Sequence, residues 1–467
     1  MLKILFLVLM VSGLPVAIAM AGSSLLYIAI SGNIPAYAVV HRMIGGIDSF
    51  PLLAVPFFIL AGNLMNNAGI TNRIYNFALA LVGWLKAGLG HVNIIGSVIF
   101  AGMSGTAIAD AAGLGTIEIK AMTDHGYSKE FSVGVTAASA TLGPIIPPSL
   151  PFVIYAMMAN VSVGALFLAG ILPGLLMAVL MMATVAYYAH KNNWGGDIKF
   201  SASRLGKAII ETAVVAGWPL AVWALIAKAG LQPQAVVFVA LLVLFAADRF
   251  FRFQAVLPIM TPVLLIGGMT TGLFTPTEGA IAACVWATGL GLAWYRTLTW
   301  KMFVKVCLDT TETTATVLFI VAAASIFGWM LTATGVTAAI AEWVLAFTKS
   351  PWIFLLLANL LMLFVGCFLE PTAAITILVP LLLPIARHLG IDPVHFGLVM
   401  VLNLMIGLLH PPMGMVLFVL ARVAKLSFER TTMAILPWLV PLLVSLAIIT
   451  YIPQIVLWLP RVMGIGG

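Results

Sequence analysis

Ser104, Gly105 and Thr106 sit in the middle of an apolar run, "VNIIGSVIFAGMSGTAIADAAGLGTIEIKAM" (residues 92–122), and Asp110 follows about one helical turn later. Downstream, "GPIIPPSLP" (residues 143–151) carries Gly143 and four prolines inside another apolar run. A proline within a helix removes a backbone donor and clashes with the preceding turn, so the Pro147-Pro148 pair breaks the helix it interrupts. Inside a bilayer such a break is tolerated only when it is buried in protein or lines a watery cavity. Unwound carbonyls and nearby hydroxyls suit a small hard cation such as Na⁺, and half-helix N-termini suit an anionic carboxylate. The chemistry these residues offer is ligand binding within a membrane.

The same device occurs twice. "GLLHPPMGM" (residues 407–415) repeats the break, and 407 − 143 = 264. The same offset pairs Pro147-Pro148 with Pro411-Pro412, Gly126 with Gly390, and "ILP" at 171–173 with "ILP" at 435–437. Further upstream the offset is 266, relating "AGNLMNNAGI" (61–70) to "FGWMLTATGV" (327–336). The chain is an internal duplication, and the broken helix is one of its repeated parts.

The polar turn at 102–106 makes residues 88–122 a re-entrant helical hairpin, because each arm is too short for a full span. Its counterpart covers about 352–386 and turns between Gly366 and Thr372. Broken helices are expected over about 131–157 and 394–420. Each hairpin tip facing a break would form one cation site. The first set is Ser104, Gly105 and Thr106 with carbonyls near Gly143, Ile146 and Pro148. The second is Gly366 and Thr372 with carbonyls near Gly407, His410 and Met413. Between them a substrate region would involve Ser104, Asp110, Glu370, Pro147 and Pro411. Packed helices that merely bend at these prolines are the alternative. Charges inside a membrane are expensive and usually functional, which singles out Asp110 and Glu370. Glu278, in "GLFTPTEGA", could serve transport or cap the helix that Thr275-Pro276 begins. His410 could titrate or be a hydrogen-bonded structural residue.

Composition defines the elements that must position these groups. Of 467 residues, 63% are hydrophobic and 8% charged, which excludes a water-soluble fold. Roughly a dozen apolar spans or half-spans fill the chain, an all-α polytopic membrane protein. The net charge of +7 sits mostly in short loops and therefore reports orientation in a lipid bilayer, with no nucleic-acid partner implied. Arg422, Lys425 and Arg430 mark a cytoplasmic loop, while the equivalent first-half loop at 157–165 is uncharged. Counting spans places Lys191, Lys199, Arg204, Lys207, Arg249, Arg252, Arg296, Lys301 and Lys305 on the same face. The halves are thus expected to be inverted repeats. Residues 1–190 form the first, 266–467 the second, and 191–265 a connection with an extra two-helix membrane hairpin. The N-terminal stretch imitates a signal peptide but reads as a retained first membrane helix. Segments 33–46 and 298–309 read as amphipathic helices along the interface. Cys284, Cys307 and Cys367 have no metal-binding spacing.

"SGTAIADAAGLGTIEIKAM", "GVTAASATLGPIIPPSLPFVIY" and "GLFTPTEG" closely resemble the large membrane subunit of TRAP (tripartite ATP-independent periplasmic) transporters. The resemblance runs over nearly the whole chain. It implies import of an organic acid across the bacterial inner membrane by Na⁺ symport, with at least two ions and an elevator-like motion of a domain carrying the hairpins. It also implies two partners, a small membrane subunit and a periplasmic substrate-binding protein, each a separate chain. The residues 211–253 depart from the pattern, since that connection is usually shorter in the family. A Na⁺/dicarboxylate-type symporter working without a binding protein shares the physical features. "AGMSGTA" is also compatible with an intramembrane serine protease using Ser104, but a protease would not need the unit twice.

Overall fold

The computed structural model describes residues 1–32, 34–35, 37–229, 233–251, 253, 255–270, 274–411 and 414–465. Helices account for its architecture. Among the described residues, four helices are long and apolar enough to cross a membrane: Val163–Lys191, Trp300–Ala333, Pro371–His388 and Phe428–Tyr451. Eight apolar helices are shorter, at 10–17 residues. The chain thus builds its membrane body from full spans and half-length pieces.

The duplication is visible in the backbone. Gly126 and Gly390 (126 + 264) both take positive φ, +87° and +75°, as do Gly69 and Gly335 (69 + 266), both at +70°. The helix starting at Lys129 is capped by Ser128, and the one starting at Pro393 by Asp392, again 264 residues on. Each cap oxygen satisfies amide donors that the first helical turn leaves without partners.

In the first half the hairpin consists of Gly88–Ser104, then Ala107–Ala112 and Leu114–Asp124 running back beside it. The broken helix follows as Lys129–Ala140 and Leu150–Ala159. In the second half the hairpin is Pro351–Gly366 and Pro371–His388, and the broken helix is Pro393–Gly407 and Met415–Ala424. One difference is local. The return arm of the first hairpin is interrupted at Gly113, where a Cβ would lie 2.8 Å from the Asn66 side chain and 2.9 Å from the Ala109 carbonyl.

Around these pieces Ala54–Asn67 packs on Pro276–Gly289, while Val16–Ser31 and Tyr37–Ile47 pack on Trp300–Ala333. The N-terminal stretch forms two helices, Leu2–Val11 and Val16–Ser31, separated around Gly13 (φ +85°) and Pro15. The expected surface helix at 298–309 is not a separate element: it is the start of the continuous Trp300–Ala333 helix. No proline or glycine interrupts residues 300–327, whereas Pro51 follows Tyr37–Ile47 in the first half, where the chain turns before Ala54–Asn67. The connection between halves contains two helices, Ala202–Ala229 and Pro233–Phe251.

Candidate functional site

At the first tip, Ser104 ends its helix and Gly105 turns the chain at φ +64°. Thr106 then starts the next helix, its hydroxyl accepting from the Ala109 amide at 3.3 Å. The tip lies directly on the first break. A Cβ on Gly105 would sit 2.7 Å from the Pro148 carbonyl oxygen. A Cβ on Gly143 would sit 3.1 Å from both the Thr106 carbonyl oxygen and Asp110 Oδ2. Gly105, Thr106, buried Asp110, Gly143 and Pro148 therefore form one cluster of closely approaching backbone. Pro147–Pro148 is a cis peptide bond. Ile146 points its side chain out of the cluster, against Gly174 of the following helix. Ser149 closes the break, donating to the Pro144 carbonyl and accepting from the Phe152 amide at 3.3 Å.

The second tip meets the second break in the same way. A Cβ on Gly407 would lie 2.7 Å from Gly366 Cα, so the two backbones touch. His410 Nδ1 lies 2.8 Å from the Pro411 carbonyl and 3.3 Å from Cys367 Sγ, tying break to tip. That geometry is the structural-histidine arrangement. Glu370 caps Pro371–His388: its Oε2 accepts from the amides of Thr372 (2.9 Å) and Ala373 (3.2 Å) and from the Thr372 hydroxyl. Thr372 is buried beneath it. Of the residues expected here, Met413 lies outside the described residues. At Ser104 only the backbone is described. Glu278 is not at either tip. It forms a capping box with Thr275, accepting from the Thr275 amide at 2.7 Å.

One buried polar clamp holds each hairpin to its broken helix. Asn93 donates to Thr136 (2.8 Å) and accepts from Ser139 (2.6 Å). Asn403 donates to Asn359 Oδ1 (2.8 Å), and Asn359 donates to Thr450 (3.0 Å). Asn359 stands 266 residues after Asn93, and Asn403 stands 264 after Ser139. These buried hydrogen bonds fix the register of the arm on which each tip rides. The outer halves of the broken helices then cross over. Leu150–Ala159 packs on the second hairpin's return arm, and Met415–Ala424 packs on Ala107–Ala112 of the first. Tyr155 donates to the Pro393 carbonyl (2.6 Å) and Arg387 to the Ala159 carbonyl (2.6 Å). Both tip–break pairs are thus parts of one continuous core.

Sequence reasoning missed the Asn93 and Asn359 clamps, although the repeat offsets align them. It also passed over Glu118, which is 1% exposed on the first hairpin's return arm. Neither carboxylate oxygen has a hydrogen-bond partner among the described residues. Gly96 makes room for it, since a Cβ there would lie 2.9 Å from Oε1. A charged residue inside a largely apolar hairpin was the available signal.

Residues 3–455 match the family model described as "Tripartite ATP-independent periplasmic transporter, DctM component". The chain is 41% identical over 459 residues to the sialic acid TRAP transporter large permease protein SiaM of Vibrio cholerae, covering 98% of this chain and 97% of that one. It is 33% identical to the C4-dicarboxylate TRAP transporter large permease protein DctM of Rhodobacter capsulatus, with 98% of each chain covered. Among solved structures, the Alcanivorax borkumensis YdaH transporter superposes with a TM-score of 0.61 at 13% identity, over 92% of this chain and 90% of that one. At that identity the likeness concerns the fold alone.

Proposed function

The chain belongs to the DctM component family of tripartite ATP-independent periplasmic transporters, and from that premise we propose that it imports an organic acid by Na⁺ symport. Each tip–break pair holds one Na⁺. The first is ligated around Ser104, Gly105, Thr106, Gly143, Ile146 and Pro148, the second around Gly366, Thr372, Gly407, His410 and Met413. The observation that carries this reading is the double contact of Gly105 with Pro148 and of Gly366 with Gly407. Close backbone approach of two unwound segments concentrates carbonyl oxygens where a hard cation replaces its hydration shell.

An organic acid is the substrate class, bound between the two pairs near Asp110, Pro147, Glu370 and Pro411. Among the described residues no side chain caps the helix that begins at Met415, whereas Ser149 caps the matching helix of the first half, and an N-terminus without a cap suits an anion. Relatives named for sialic acid and for C4-dicarboxylates define the first compounds to try. Because both pairs lie in one core cross-tied by Tyr155 and Arg387, they would move as a unit against the helices around them, the elevator mode. The partners are a small membrane subunit and a periplasmic binding protein, and the site of action is the bacterial inner membrane.

The test is uptake into proteoliposomes holding this chain and its small partner, across a panel of organic acids. Each acid is run with and without a Na⁺ gradient and with and without the binding protein. Uptake that needs both is expected. Na⁺-driven uptake indifferent to the binding protein would make the chain an ordinary symporter. Uptake indifferent to Na⁺ would overturn the cation sites.

A further inference from the structure

Away from the tips, the end of Pro233–Phe251, the wide π-type turn at Leu290–Trp294 and the helix Ile70–Val82 enclose a cavity of about 660 Å³. Its polar wall is made by Arg73, Asp248, Arg249, Trp294, Tyr295 and Arg296. Three guanidinium groups against one carboxylate give a formal charge of +2. The Arg73 guanidinium lies over the Tyr295 ring, 3.9 Å from its centroid, a stacking that fixes it in place. Asp248 Oδ2 accepts from Trp294 Nε1 at 2.9 Å. Asp248 Oδ1 and the Tyr295 hydroxyl have no hydrogen-bond partner among the described residues. Both atoms are buried, so what the cavity itself presents is excess positive charge.

An apolar groove of about 380 Å³ adjoins it, lined by Leu241, Phe245, Leu264, Phe274, Trp286 and Leu290. The Phe245 ring is 4.9 Å from that of Trp294 and 5.3 Å from that of Trp286, so groove and charged cavity share an aromatic wall. Phe245 and Asp248 are one helical turn apart. A ligand that fills both must carry an anionic head and a long apolar tail.

We propose that this composite pocket binds an anionic glycerophospholipid, for which phosphatidylglycerol is the probe. The phosphate sits among Arg73, Arg249 and Arg296, where guanidinium forks match phosphate oxygens. An acyl chain lies in the groove. Basic pockets between membrane helices at the positively charged face take such headgroups. The inference rests on the chain spanning a bilayer, with its basic loops at one face, and not on Na⁺ coupling.

The test measures retained lipid and needs no transport. The full chain is delipidated in detergent, exposed to equal amounts of phosphatidylglycerol and phosphatidylcholine, and analysed by native mass spectrometry. The wild type is expected to retain phosphatidylglycerol in roughly tenfold preference. Arg249→Ala with Arg296→Ala should abolish the preference. Ala282→Trp, which fills the groove without changing charge, should lower retention of both lipids at this site. If the double variant loses its monodisperse elution, Arg249→Gln alone carries the comparison. Equal retention of the two lipids by the wild type would overturn the proposal, as would unchanged retention in the variants. Displacement of the lipid by inorganic phosphate at equal concentration would mark a free-anion site instead. Loss of the lipid when a co-purified membrane partner covers the groove would assign the groove to that partner.

Discussion

Replacing Gly407 by alanine should perturb one of the two proposed cation sites and leave the other untouched. The added Cβ would lie 2.7 Å from Gly366 Cα, 2.8 Å from its carbonyl carbon and 3.0 Å from its oxygen. Carbon–carbon contacts normally settle at about 3.5–4.0 Å, so tip and break must separate by about 1 Å. The obstacle is backbone on both sides, and no side chain can rotate away. Overpacking of this kind costs about 1–3 kcal/mol. If that cost falls on the cation site, apparent Na⁺ affinity drops by roughly 5- to 150-fold. The assay is initial uptake rate in proteoliposomes against Na⁺ concentration, with Gly289→Ala as control. Gly289 is helical with nothing within 4 Å of its added Cβ, so that variant should transport normally. A Gly407→Ala protein that folds and shows wild-type Na⁺ dependence would refute the assignment of the second site.

Gly105→Ala should damage the first site more severely, because it adds φ +64° strain to a contact of 2.7 Å with the Pro148 carbonyl; Na⁺ dependence of uptake checks it. Asn403→Leu removes the amide donor that holds the Asn359 carbonyl and Oδ1, and leaving a buried acceptor unsatisfied should cost about 1–3 kcal/mol, read as a lower unfolding temperature. Glu118→Gln should keep or raise thermal stability, since the carboxylate has no hydrogen bond to lose among the described residues; a clear fall in unfolding temperature would contradict that. Tyr155→Phe removes one cross-tie between the halves and should cost about 1 kcal/mol while leaving Na⁺ affinity within about twofold, measured by unfolding and by uptake.

What could be read from the sequence was whatever local chemistry decides. Pro147-Pro148 and Pro411 break helices by covalent geometry, and the offset of 264 reappears in the matched glycine conformations at 126 and 390. Thr275 and Glu278 lie within one turn, so their capping box was legible as a motif. The pairing of Cys367 with His410 was not, because it depends on two segments 43 residues apart meeting at a tip. Residues 298–309 were misread for a related reason. An amphipathic stretch has the same pattern on a membrane surface as at the entry of a long span, and only the missing breaker distinguishes them. Glu370 was legible as an intramembrane charge, but its role as the cap of Pro371–His388 needed the helix start to be located.

The central claim is that Na⁺ bound at the two tip–break pairs drives import of an organic acid. The most direct measurement is the reversal potential of substrate flux in proteoliposomes, which gives the number of Na⁺ moved per substrate. One Na⁺ for each pair, two in all, is expected, with the number reduced or the dependence weakened in Gly105→Ala and Gly407→Ala. Flux that reverses independently of the Na⁺ gradient would contradict it.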